Sequence, residues 1–135
     1  MNRAPSDVPP SRFYTIVVHA GALVFGVLAI LLFTVPRSFL DGLGLDLTSS
    51  TDVLCRRAAV LLLGLAVLSF SARNAAAAAT RRVVAWTTLV TTGAMAVLGS
   101  VELARGATTA AILRPVAIET VVAVVFLIVL LKERP

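Results

Sequence analysis

Between Phe13 and Val35 the chain runs for 23 residues without an aspartate, glutamate, lysine or arginine. A helix rising 1.5 Å per residue needs about 20 residues to cross the roughly 30 Å hydrocarbon core of a bilayer. In hydrocarbon no water bonds the backbone, so such a run must be a helix that pairs its own N–H and C=O groups. It exceeds the roughly 7–15-residue core of a signal peptide, and no good small-x-small cleavage site precedes a soluble domain, so the segment is expected to stay attached. Hydrophobic residues make up 59% of the 135-residue chain and charged residues 14%. A soluble domain of this size keeps a large fraction of its surface in water and carries about 25% charge. The solvent for this chain is lipid.

Three further apolar runs follow, which makes the expected fold an all-α, four-transmembrane-helix bundle with both termini on the same side. The spans read as about 13–35, 53–72, 83–101 and 116–131, in one domain covering 13–135. Residues 1–12, with three prolines, Arg3, Asp7 and Arg12, read as a short disordered tail. Pro36 ends the first span and Arg37 marks the interface. In the loop 38–52, Asp41, Gly42, Gly44 and Asp46 are turn formers. Phe39, Leu40, Leu43, Leu45 and Leu47 let part of this loop lie along the membrane surface as a short helix. Thr51 or Asp52 reads as the N-cap of the second span. The alanines at 75–79 extend one of the flanking helices. Trp86 reads as an interfacial anchor for the third span, and Pro115 suits the first turn of the fourth. Val116–Leu131 reaches only about 24 Å, so Arg114 or Lys132 snorkels or the helix starts earlier.

The tails and the second loop hold seven basic residues, Arg3, Arg12, Arg73, Arg81, Arg82, Lys132 and Arg134. The first and third loops hold five, Arg37, Arg56, Arg57, Arg105 and Arg114. Positive-inside then puts both termini in the cytoplasm, and a bacterial inner membrane is the expected location. The net charge of +5 does not imply nucleic acid, because the basic residues stand singly or in pairs at the edges of apolar runs. Cys55, the only cysteine, excludes an intrachain disulfide and reads as a small apolar residue.

Glu119 is the one carboxylate within the apolar run 116–131. At mid-membrane such a charge costs about 2.5–3.5 kcal/mol on insertion scales. Its candidate counter-ions are Arg56, Arg57, Arg105 and Arg114. Topology brings Arg56, Arg57, Glu102 and Glu119 near one leaflet, as a candidate polar cluster. The first reading of that cluster is a clamp pinning the second span to the fourth. The second is a pocket for a small polar head, an anion or a lipid headgroup, and the third is independent snorkelling of each charge. His19 reads as a packed or hydrogen-bonded residue ahead of a quinone or proton contact. Thr88, Thr92, Ala96 and Ser100 form a small-residue row, as Ala22 and Gly26 do on the first span. Such rows let helices approach closely and hydrogen-bond through hydroxyls, within the monomer first and in self-association second. The sequence has no phosphate-cradling glycine loop, His-Glu-x-x-His motif or nucleophile elbow, and no His, Cys or carboxylate grouping that indicates a metal or haem.

The first span ending at Pro36, the loop Phe39-Leu40-Asp41-Gly42-Leu43-Gly44-Leu45-Asp46 and the Arg57-to-Gly64 start of the second span resemble the small four-helix bacterial membrane proteins of unassigned function. They are similar, more loosely, to the DoxX-like group. The resemblance implies an integral membrane protein without an assigned reaction or cofactor. Small multidrug exporters have four spans and a functional glutamate in the first, and Phe13–Val35 has none, which argues against proton-coupled export. The reading is a structural or accessory protein acting by lateral contacts with membrane partners, a second copy or lipid. The alternative is a small-molecule carrier or membrane-embedded enzyme built on the Arg/Glu cluster.

Overall fold

The computed structural model describes residues 9–132. It comprises α1 (Arg12–Thr34), α2 (Pro36–Asp41), α3 (Ser49–Ala72), α4 (Ala78–Ala104), a single 3-10 turn (Ala110–Ile112) and α5 (Leu113–Lys132). Among the described residues there is no strand. Four helical segments, α1, α3, α4 and Ala110–Lys132, are long and apolar enough to cross a membrane. The expected tail lies partly outside the described residues, at 1–8. Pro9 and Pro10 are non-helical, and Ser11 caps α1, its hydroxyl accepting from the Tyr14 N–H at 3.1 Å.

Local chemistry moves the helix ends outward from the apolar runs. α3 starts at Ser49 because Thr48, not Thr51 or Asp52, is its N-cap. The Thr48 hydroxyl accepts from the Thr51 N–H at 3.2 Å, and the Thr51 hydroxyl accepts from the Thr48 N–H at 2.7 Å. This reciprocal box satisfies two backbone donors that a helix start otherwise leaves open. Asp52 instead stands in the first turn, where the helix dipole favours a negative charge. α4 takes in the last two alanines of the 75–79 run. The shortness of the fourth span is resolved by an earlier start, at Leu113 after the 3-10 turn, with Pro115 in the first turn. The short loop helix is α2, which begins at Pro36, so the proline that stops α1 also opens its successor.

The four long helices form a ring in chain order. α1 lies along α3 and α4 lies along α5, while the contacts joining these two pairs, α3 to α4 and α1 to α5, are brief. The diagonal helices α3 and α5 have no close backbone approach, nor do α1 and α4. Small residues set the tight contacts. A Cβ on Gly99 would sit 2.6 Å from Val116 Cγ2, and one on Gly21 would sit 3.3 Å from Phe126 Cζ. At one end Tyr14, Val17 and Val18 of α1, Ala85 of α4 and Phe126, Val129 and Leu130 of α5 share a buried cluster. At the other end α2 closes over α1 and α3, burying Leu40 with Leu32, Cys55 and Ala59. The loops there are linked by the Thr109 hydroxyl, which donates to the Leu43 carbonyl at 3.2 Å. Gly44 permits that approach at a φ of 71°, since a Cβ would lie 2.7 Å from the Thr109 hydroxyl.

Only 17–33% of the apolar window of each span is buried within the chain. Of the rest, part is half-buried against the core and part, including Leu23, Leu61 and Val97 at 68%, 73% and 65% exposed, faces outward. The glycines provide a direct check on the ring. Gly99→Leu forces α4 off α5 and is expected to cost about 1–3 kcal/mol. Gly64→Leu, with nothing within 4 Å of its Cβ position, is expected to be neutral or slightly stabilising. Thermal unfolding in mild detergent reads both, and equal losses would refute the tight α4–α5 contact.

Candidate functional site

The four residues expected to cluster near one leaflet do not assemble into an ion-paired site. Among the described residues the one ion pair is Arg56 Nε to Asp52 Oδ2, at 3.1 Å and one turn apart on α3. The Arg56 guanidinium also stacks over Phe33 of α1, 5.7 Å from the ring centroid. Its side chain is 52% exposed, so the pair stabilises little by itself. Arg57 is exposed and makes no ion pair or hydrogen bond among the described residues. The buried stripe of α3 runs through Cys55, Ala59, Ala66 and Ser69. At 100° per residue, Arg57 stands about 200° from Cys55, on the outward face.

Glu119 faces the other way. It is partly buried and lies in register with the buried stripe Ala123, Phe126 and Leu130 of α5, four, seven and eleven residues on. No basic group lies within ion-pairing distance of it among the described residues. The expected clamp between Arg56 or Arg57 and Glu119 is therefore absent, because α3 and α5 occupy diagonal corners and the arginines point outward. Glu102 is partly buried at the end of α4, also without an ion pair, and Arg105 and Arg114 are exposed.

The densest polar constellation stands at the opposite end, where the sequence shows only loop charges. The Tyr14 hydroxyl, fully buried, donates to the Ala72 carbonyl at 3.1 Å. Arg81 is 4% exposed, and its Nη1 donates to the carbonyls of Ala75 at 3.0 Å and Ala76 at 2.6 Å. Its guanidinium stands 6.0 Å from the centroid of the Tyr14 ring. Arg73 lies 3.8 Å over Phe70, and the Lys132 ammonium 4.2 Å over Phe13. These groups tie the start of α1, the end of α3, the start of α4 and the end of α5 together. The cause is the alanine run, whose residues supply no side-chain caps for the carbonyls at and beyond the C-terminus of α3. Long donors elsewhere must supply them, and cations suit the negative end of a helix dipole. The co-occurrence of an alanine linker, a lone tyrosine and a nearby arginine is the signal that could have revealed this.

The small-residue row is only partly as expected. Thr88, Thr92 and Ala96 are buried, but Gly99 replaces Ser100 on the buried face. The hydroxyls do not bond across helices. Thr88 donates to the Val84 carbonyl at 3.0 Å, Thr92 to Thr88 at 2.8 Å and Ser100 to Ala96 at 2.8 Å, all within α4. His19 is exposed and hydrogen-bonded, its Nδ1 donating to the Thr15 carbonyl at 2.7 Å with the ring edge-on to Phe70. Since a carbonyl can only accept, Nδ1 carries the proton in that bond. Cys55 is buried beside Leu32 and Ala59.

The two ends predict opposite mutational behaviour. Arg81→Met orphans two carbonyls and is expected to cost about 1–3 kcal/mol, and Tyr14→Phe about 1 kcal/mol, whereas Arg82→Met at an exposed position should be silent. Glu119→Gln breaks no ion pair, so its melting temperature in detergent should not fall below that of the parent. A fall of several degrees would show a counter-ion at Glu119. No family model, no curated protein and no solved structure matches this chain.

Proposed function

We propose that this chain is a multi-pass accessory or structural protein of a bacterial inner membrane, acting by lateral contacts of its helix faces with other membrane components. What carries the reading is the small share of each span that the chain buries against itself. Two well-packed helix pairs, briefly joined, leave most of each helix available to a neighbour. The outer side of α4 and α5 is suited to such contact. Ser100 and Ala104, with Val97, Val101, Thr120 and the edge of the buried Ala96, line an open apolar cleft of about 360 Å³ there. The hydroxyls of Ser100 and Thr120 are already bonded to their own helices, so a neighbour can pack there without leaving them unpaired.

Both termini are assigned to the cytoplasm on the seven-to-five excess of basic residues at that end. A reporter active only in the periplasm, fused after Pro135, should then be silent. Activity from that fusion would reverse the orientation.

One observation favours a second reading, that of a small-molecule carrier or membrane-embedded enzyme. Glu119 lies on an inward stripe with no counter-ion among the described residues, and an intramembrane carboxylate of that kind is a functional candidate by default. Purification in mild detergent followed by native mass spectrometry separates the two. The accessory reading expects a stoichiometric protein partner or a defined homo-oligomer. A monomer carrying a small polar molecule, released by Glu119→Gln, would replace it with the second reading.

A further inference from the structure

We infer that the outward groove between α1 and α3 at the Arg56–Arg57 level is a binding site for an anionic phospholipid. This rests on the lateral-contact reading and names one of the components contacted. Phe33 of α1 and Val53, Arg56, Arg57, Val60 and Leu61 of α3 line the groove, which has a volume of about 450 Å³.

The groove is divided in the way a phospholipid is. Phe33, Val60 and Leu61 are exposed apolar side chains that offer a wall to an acyl chain. Above them stand two guanidinium groups. Asp52 offsets one of these through Arg56, while Arg57 has no acidic partner among the described residues, so the groove keeps an excess positive charge. Asp41, Asp46 and Glu102 at the same end form no ion pair with either arginine. A phosphodiester complements that excess, and guanidinium binds phosphate oxygens in a bidentate fork.

The depth fits as well. Arg56 and Arg57 lie seven and eight residues after Ser49, the first residue of α3, which is about 10–12 Å along the axis. Helical side chains lean toward the helix N-terminus, so both guanidinium groups reach back toward the membrane surface rather than into the hydrocarbon. Two guanidinium groups beside an apolar wall near a helix start offer an anionic head group what basic pockets between membrane helices offer it at the opposite, cytoplasmic surface. A zwitterionic lipid brings a choline or ethanolamine cation against Arg57 and gains less.

The test uses the full chain in a neutral detergent, with native mass spectrometry scoring retained lipid. Dioleoyl phosphatidylglycerol should be retained on the order of tenfold better than dioleoyl phosphatidylcholine. Arg56→Gln/Arg57→Gln should abolish that preference, and Arg105→Gln, an exposed arginine outside the groove, should retain it. The Arg56→Lys/Arg57→Lys pair keeps the charge and should keep part of the preference, which covers the case in which the glutamine pair fails to fold. Equal retention of the two lipids by the parent chain, or a preference untouched by the glutamine pair, overturns the site. Displacement of the lipid by inorganic phosphate at equal concentration overturns it in favour of a free-anion site. None of these outcomes bears on whether a protein partner co-purifies, so the lateral-contact reading stands or falls separately.

Discussion

In hydrocarbon, apolar side chains gain nothing by moving from lipid to protein, so helices associate only where backbones approach closely or polar groups need partners. This chain is organised by that constraint. Its tight contacts fall where Gly99 meets Val116 and Gly21 meets Phe126. Its buried polar contacts between separate elements gather at one end, in Tyr14, Ala72 and Arg81. Between those places the two helix pairs have little to hold them together, and their outer faces stay as apolar as their inner ones.

The two ends of the bundle solve the problem of exposed helix termini differently. At the end where α1 begins and α5 finishes, the alanine linker provides no caps, and Tyr14 and Arg81 reach in from α1 and α4 to supply donors. The Tyr14 bond is long-range, while Arg81 reaches back only five and six residues, and together they fasten three helices at once. At the other end α3 caps itself through Thr48 and Thr51, and Asp52 answers the dipole locally. Among the described residues no charge there forms an ion pair with a neighbouring helix. Arg57 is left open toward the membrane surface and Glu119 without a partner toward the bundle.

That asymmetry bears on function. A charge consumed in holding the fold, as Arg81 is, explains its own presence. Among the described residues no ion pair explains Arg57 or Glu119, and in a low-dielectric solvent an unexplained charge is expensive. The outward arginine fits a surface that contacts lipid. The inward glutamate keeps a polar ligand in view as the competing reading.

Much of the architecture was legible along the chain. The uncharged run from Phe13 to Val35 and the three that follow dictate four helices, because hydrocarbon admits no other spanning element for such segments. The short loops dictate that successive helices turn back on one another. The sequence also puts Arg56, Arg57 and Glu119 within a few turns of the helix starts at one end, although capping moved those starts outward to Ser49 and Leu113. What depth does not contain is direction around the helix axis, and there the sequence was silent. Charge–charge reasoning alone would pair Arg56 with Glu119. Whether Arg57 faces lipid or a neighbour, whether Gly99 or Ser100 meets α5, and whether Arg81 is a loop charge or a buried cap depend on which helices stand side by side and how each is rotated. Those choices are made by close packing between segments far apart in the chain. The sequence by itself therefore determined the number, order and solvent of the helices, while capping set where three of them begin, and only the tertiary structure decided which polar groups meet.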